Sequence, residues 1–199
     1  MSSERGRTIR RVCVFCGSSS GAREEYRAAA TRLGEALARR QLTLVYGGAR
    51  VGLMCAVADA VLQAGGHAIG VIPDALVHRE IAHDGLTELH VVGSMHERKA
   101  LMAESADAFV LLPGGFGSWE EFFEAITWSQ LGLHEKPCGV LNVSNYYGPL
   151  LTLVDHAVAE GFVRESHRRA IVVDEDPDAL LDQLARAPAV RDVKWTEPR

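Results

Sequence analysis

Ala108-Phe109-Val110-Leu111-Leu112-Pro113-Gly114-Gly115-Phe116-Gly117-Ser118 is an apolar run that stops at a proline and three glycines. Five consecutive apolar residues read as a strand covered on both faces, because a half-solvated strand alternates with polar positions. The glycines permit a close backbone approach, and the stretch 118–131 reads as the helix that follows. Strand, glycine turn and helix together form the repeating unit of a parallel α/β sheet.

The same unit recurs on either side. Residues 11–15 read as a strand running into Gly17-Ser18-Ser19-Ser20-Gly21, followed by a helix over 24–40 with Ala28, Leu33 and Leu37 near one face. A second strand, 42–46, ends in Gly47-Gly48, and a helix over 52–64 is closed by Gly65-Gly66. A third strand, 67–72, is broken by Pro73, and 74–85 reads as a loop or short helix. Strands over 88–92, 138–143 and 170–173 alternate with helices over 95–106, 147–160 and 177–185. Parallel neighbours need a long return, so this alternation predicts an α/β architecture: a Rossmann-like, doubly wound parallel β-sheet with helices on both faces. One domain is expected over 1–199, with its core at about 11–185 and flexible ends at 1–10 and 187–199.

Composition narrows the function classes. The chain has 199 residues, 47% of them hydrophobic, and a formal charge of −5. That balance argues against a nucleic-acid backbone or an anionic membrane as partner, since both require a net basic face. The polar start and the lack of a long apolar run predict neither a secretory signal nor a membrane span, and so a cytoplasmic protein. Cys13 and Cys16 form a CxxC, but it falls along a strand and no second pair supplies zinc-type spacing. The four cysteines read as small hydrophobes of a reducing compartment. His67, His78, His83, His90, His134, His156 and His167 show no convincing metal spacing, and most are expected on the surface or in loops.

Three strands ending in glycine- or serine-rich turns on one sheet edge point to a phosphorylated ligand, because free N–H groups at a helix start favour anions. No Gly-Lys-Ser/Thr follows a glycine, which excludes a P-loop, and GxGxxG is absent. In Gly115-Phe116-Gly117-Ser118-Trp119-Glu120 a carboxylate takes the third glycine's place and would repel a pyrophosphate. Glu121 has two readings. Ser118-Trp119-Glu120-Glu121 matches a capping box, with Ser118 as N-cap; alternatively, Glu121 is a functional carboxylate at a strand-end helix start. His96-Glu97-Arg98-Lys99 opens the preceding helix, where two cations oppose the dipole unless an anion offsets them.

Pro113-Gly114-Gly115-Phe116-Gly117-Ser118-Trp119-Glu120-Glu121 resembles the PGGxGTxxE signature of the LONELY GUY (LOG) family, cytokinin riboside 5′-monophosphate phosphoribohydrolases also labelled lysine decarboxylases. Met95-His96-Glu97-Arg98-Lys99 is similar to the family's MHxRK segment, and Tyr46 to Met54 to its YGGGxxGLMG turn. Ile126 to His134, followed by Lys136-Pro137, resembles ITWxQLGxHxKP. Ser118 stands for the usual Thr, and Ala49 and Cys55 stand where glycines are common, which bears on the shape of the second turn. The resemblance implies a catalytic pair, Arg98 and Glu121. It implies substrate contacts from Glu80, Arg98, Lys99, Gly115, Phe116, Gly117, Ser118, Trp119, Glu120, Glu121 and Thr127. It also implies a homodimer acting on a small nucleoside 5′-monophosphate, with no metal or cofactor.

A carboxylate beside the sugar stabilises the positive charge that grows as a base leaves, or orients the attacking water. Glu121 fits that role. A guanidinium is a poor proton donor, so Arg98 is expected to fix phosphate or sugar, with Lys99 and the turn N–H groups on the phosphate. Two rival classes remain: a pyridoxal-dependent decarboxylase, for which Lys99, Lys136 and Lys194 are poor candidates, and a non-catalytic nucleotide or cofactor carrier of similar fold.

Overall fold

The computed structural model describes residues 7–77 and 82–188. Seven strands form one sheet: β1 (Arg11–Phe15), β2 (Thr43–Tyr46), β3 (Ala68–Pro73), β4 (Glu88–Val92), β5 (Ala108–Leu111), β6 (Cys138–Leu141) and β7 (Ile171–Asp174). Every pairing is parallel, in the order β4-β3-β2-β1-β5-β6-β7. The order reverses between β1 and β5, and at such a switch point the turns beyond the strand ends open a crevice.

Alternate residues of each strand face opposite layers. Val12 and Val14 pack with Leu44, Tyr46, Val110 and Leu112 beneath α1 (Glu24–Arg39), α2 (Gly52–Gln63) and α8 (Pro177–Arg186). Cys13 and Phe15 pack with Val45, Phe109 and Leu111 beneath α4 (Met95–Ser105) and α5 (Phe116–Gln130). Phe15 and Phe109 stack across β1 and β5 with ring centroids 5.8 Å apart. The short α3 (Asp74–Val77), α6 (Gly148–Ala159) and the five-residue α7 (Glu165–Arg169) complete the helices of the described residues.

Several boundaries differ from expectation. Pro73 does not break β3; it is the strand's last residue and registers with Val92, at an end where its missing N–H costs little. On α1 the buried face is Ala29, Ala30, Leu33, Ala36 and Leu37, while Ala28 is exposed, because five residues before Leu33 lies well off the Leu33–Leu37 stripe. His83 and His167 are buried rather than superficial. Residues 1–6 and 189–199 of the ends expected to be flexible, like His78 and Glu80, lie outside the described residues.

Candidate active site

Helix α5 starts two residues earlier than its sequence predicts. Its N-cap is Gly115 in an extended conformation, with no side-chain cap bond, so the helix begins at Phe116 and Ser118 is its third residue. Ser118 is buried, and its Oγ lies so close to the Gly114 backbone that a Cβ on Gly114 would stand 2.3 Å from it. The capping-box reading of Ser118 and Glu121 therefore fails, and Glu121 sits in the second turn. A capping interaction does exist one helix earlier. Ser94 caps α4, its Oγ accepting from the Glu97 N–H at 3.1 Å, while the Glu97 carboxylate accepts from the Gly93 N–H at 2.8 Å. Glu97 in the first turn thus offsets the dipole cost of Arg98 and Lys99 without any bound anion.

The turns after β1, β2 and β5 converge. Gly17 N–H donates to Pro113 O at 3.0 Å, and Leu53 N–H to Gly17 O at 3.0 Å. Gly52, at φ +52°, brings α2 so close to this turn that a Cβ would lie 2.4 Å from the Ser18 carbonyl carbon. Between these turns lies a cleft of about 300 Å³ lined by Cys16, Gly17, Ser18, Met54, Leu76, Met95, Arg98, Gly115, Phe116, Gly117, Ser118, Glu120 and Glu121. A second cleft of similar volume adjoins it at Gly17, Ser18 and Gly115 and is walled by Tyr26 and Tyr146. Tyr146 is held there by its hydroxyl, which donates to Gly114 O at 2.7 Å.

Arg98 is 6% exposed. Its Nε donates to Val71 O at 3.1 Å and its Nη2 to Gly47 O at 3.0 Å, so one carbonyl within β3 and one just past β2 orient the guanidinium. Nη1 has a 3.8 Å contact with Met95 Sδ. The fit requires glycine at 47: a Cβ there would lie 2.0 Å from Nη2. Glu121 and Arg98 both bear on Cys13, whose thiol is pushed up first by burial and then by Glu121, while Arg98 acts in the opposite direction. Both residues line the same cleft.

Of the residues singled out from the sequence, Arg98, Gly115, Phe116, Gly117, Ser118, Glu120 and Glu121 share this cleft. Three do not line it. Lys99 Nζ bridges Glu120 at 2.5 Å and Glu124 at 3.1 Å, which ties α4 to α5 and raises the lysine pKa: burial works against the charge, but the two carboxylates outweigh it. Trp119 packs towards the Phe109 and Phe122 layer. Thr127 is exposed on α5, its hydroxyl donating to Phe123 O. Met54, Leu76 and Met95 also line the cleft; their apolar character carries no signal that separates them from core residues.

Gly115 and Gly117 are informative in a different way. A Cβ at either would meet nothing within 4 Å, so chain packing does not demand glycine at these two positions. Both border the uncapped N-terminus of α5, whose first N–H groups have no partner inside the helix.

Known proteins share this chain's sequence and fold. A family model described as "Possible lysine decarboxylase" matches residues 54–184. A probable cytokinin riboside 5′-monophosphate phosphoribohydrolase of Oryza sativa subsp. japonica is 55% identical over 176 residues, covering 88% of this chain and 78% of that one. A cytokinin riboside 5′-monophosphate phosphoribohydrolase of Rhodococcoides fascians is 52% identical over 182 residues, 91% of each chain. Among solved structures, the molybdenum cofactor carrier protein of Chlamydomonas reinhardtii superposes with a TM-score of 0.67 at 22% identity, over 89% of this chain and 98% of that one, a likeness of fold alone. With half its residues shared with these phosphoribohydrolases over most of its length, the chain belongs to the LONELY GUY family.

Proposed function

We propose that this protein is an N-glycosidic hydrolase, working within one Rossmann-like domain, that releases the base from AMP-type or N6-modified nucleoside 5′-monophosphates and leaves ribose 5-phosphate. The observation that carries the reading is the pair of unpacked glycines, 115 and 117, at an uncapped helix N-terminus facing the cleft that Arg98 and Glu121 share. An open backbone with free N–H groups suits a 5′-phosphate. Glu121 then lies where a carboxylate stabilises the sugar's growing positive charge or orients water, and Arg98 holds the sugar or departing base electrostatically. Phosphate held away from the reacting bond supplies binding energy for positioning, which favours monophosphates over free nucleosides. Lys99 is committed to Glu120 and Glu124, so in this scheme it positions α5 rather than gripping phosphate.

The relatives' names support the reaction class. The protein is expected to act in the cytoplasm, a setting that the four free cysteines support, and without nucleic acid as partner, in line with its acidic balance. We further propose a homodimer. Apolar α6 contributes no buried residue, and Leu153, Phe123, Leu133 and Phe162 are exposed. Thr127 shares the outer face of α5 with Phe123, so it reaches a substrate only across a subunit boundary.

Purified protein incubated with AMP and with N6-isopentenyl AMP should yield free base and ribose 5-phosphate. Glu121→Gln should lower turnover by at least about 10²-fold while the melting temperature holds. Undiminished activity in that variant removes Glu121 from the mechanism, and the absence of product from both nucleotides removes the function.

A further inference from the structure

Cys55, Asp59 and His83 lie outside the cleft and take no part in the chemistry above. Cys55 and Asp59 are one turn apart on α2 and share a face. His83 comes from the segment before β4, where its own N–H donates to Gly48 O at 3.0 Å and Ala82 bridges Ala49. The three side chains offer a sulfur, a carboxylate oxygen and an imidazole nitrogen, all within 4.8 Å of one another. Asp59 stands in the middle: one oxygen lies 3.0 Å from His83 Nε2, the other 3.0 Å from Cys55 Sγ. His83 is buried, whereas the Asp59 side chain is 41% exposed, so the cluster has a packed floor and a path to solvent.

Two other uses of these groups fail. A nucleophilic cysteine needs its base against the sulfur, and here a carboxylate separates imidazole from thiol. Burial, then the bond to Asp59, pushes the Cys55 thiol up to about 11, so it stays protonated near neutrality and is a weak nucleophile and a slow redox partner. Closing the loop does not need the thiol either, since the Asp59–His83 contact does that. Tyr46 adds a second observation. Its hydroxyl is fully buried with no hydrogen-bond partner, and the charges that act on it are those of Cys16, Cys55 and Asp59. Buried hydroxyls are ordinarily satisfied, so this orphan marks an incompletely paired polar spot on the sheet face that α2 covers.

We propose that Cys55, Asp59 and His83 form a site for a borderline-soft divalent cation of the zinc type, with solvent as the fourth ligand. Thiolate, imidazole and carboxylate are the donor set such ions prefer over magnesium or calcium. Donor atoms around tetrahedral zinc stand roughly 3.3–3.8 Å apart, so the two 3.0 Å contacts to Asp59 open by a few tenths of an ångström, while the Cys55 sulfur and the His83 nitrogen, within 4.8 Å of each other, draw into that range. The ion replaces the thiol proton, which leaves to solvent, while the imidazole proton moves from Nε2 to Nδ1. That shift gives up the 3.2 Å bond that Nδ1 accepts from Gly85 N–H. The net change is one proton released per ion bound, and occupancy rises with pH. A filled site fastens α2 to the 82–85 segment, beside the turn whose Gly47 carbonyl orients Arg98.

The test uses the full-length chain, stripped with a chelator and titrated with Co(II) as a spectroscopic probe. One ion per chain should bind, with a thiolate-to-metal charge-transfer band in the near ultraviolet and one proton released; Zn(II) should displace it. Cys13, Cys16 and Cys138 are buried, so the band reports Cys55. Cys55→Ala should abolish the band and keep the metal-free melting temperature, since alanine suits a half-buried helix position. Asp59→Asn should weaken binding by roughly 10–100-fold. Zn(II) should raise the melting temperature of the parent chain and leave that of Cys55→Ala unmoved. A missing charge-transfer band, a band that survives Cys55→Ala, or affinity no better than millimolar overturns the site. None of these readouts involves nucleotide hydrolysis, so the site and the proposed function stand or fall separately.

Discussion

Arg98 is buried, and a buried guanidinium is costly unless its donors are met. The carbonyls of Val71 and Gly47 accept from Nε and Nη2, and this is possible because residue 47 has no side chain. Gly47→Ala should therefore push Nη2 off its carbonyl, costing about 1–3 kcal/mol by overpacking and on the order of 10²-fold in turnover through misplacement. Chemical denaturation and steady-state kinetics measure the two losses. Gly117 is the opposite case. With nothing within 4 Å of its missing Cβ, Gly117→Ala should leave stability unchanged or raise it by up to about 1 kcal/mol. The added methyl group occupies space on the phosphate side, so KM for a monophosphate should rise roughly tenfold, a cost of about 1.4 kcal/mol. An unchanged KM would place the phosphate elsewhere.

Helix α5 carries Glu121 in its second turn, and its position is fixed at both ends. Near the start, Lys99 from α4 grips Glu120 and Glu124. Just beyond its end, His134 packs against Phe109 of β5, ring centroids 5.3 Å apart, and accepts through Nδ1 from Lys136 N–H. Burial, then the Lys136 charge, holds the His134 pKa below its ordinary 6.5, against a weaker pull from the Ala125 carbonyl. A histidine with a depressed folded-state pKa binds fewer protons folded than unfolded. Its contribution is complete above 6.5 and drains away as pH falls below that value. The melting temperature should thus fall between pH 7 and pH 5, and His134→Gln should flatten that part of the profile. Equal slopes in the two proteins would put the acid-labile group elsewhere.

The sheet order places the proposed cleft at the β1–β5 switch point and leaves the far side of α6 bare. Leu153 at 61% exposure and Phe162 at 85% are large apolar groups in water, on a chain that carries two buried clusters elsewhere. A second copy of this chain is the occupant we propose. Leu153→Glu should shift sedimentation from dimer to monomer, and the proposed Thr127 contact across that boundary predicts that turnover falls with it. A parent chain that sediments as a monomer at micromolar concentration would end this proposal.

Much of this was legible along the chain. Continuous apolar runs and glycine punctuation identified every strand to within two residues, while Arg98 and Glu121 were singled out as a pair by the resemblance that the PGGFGSWEE and MHERK stretches carry. These are local properties: burial periodicity and backbone permissiveness are written within a few residues of where they act. Other features depended on packing between distant segments. The start of α5 moved two residues because Gly115, not Ser118, took the extended cap; Lys99 turned to carboxylates 21 and 25 residues away; Cys55, Asp59 and His83 met across a bridged loop. A side chain's partner is chosen by long-range contacts whose energies compete within a few kcal/mol, so residue type and spacing name the candidates while the folded arrangement selects among them.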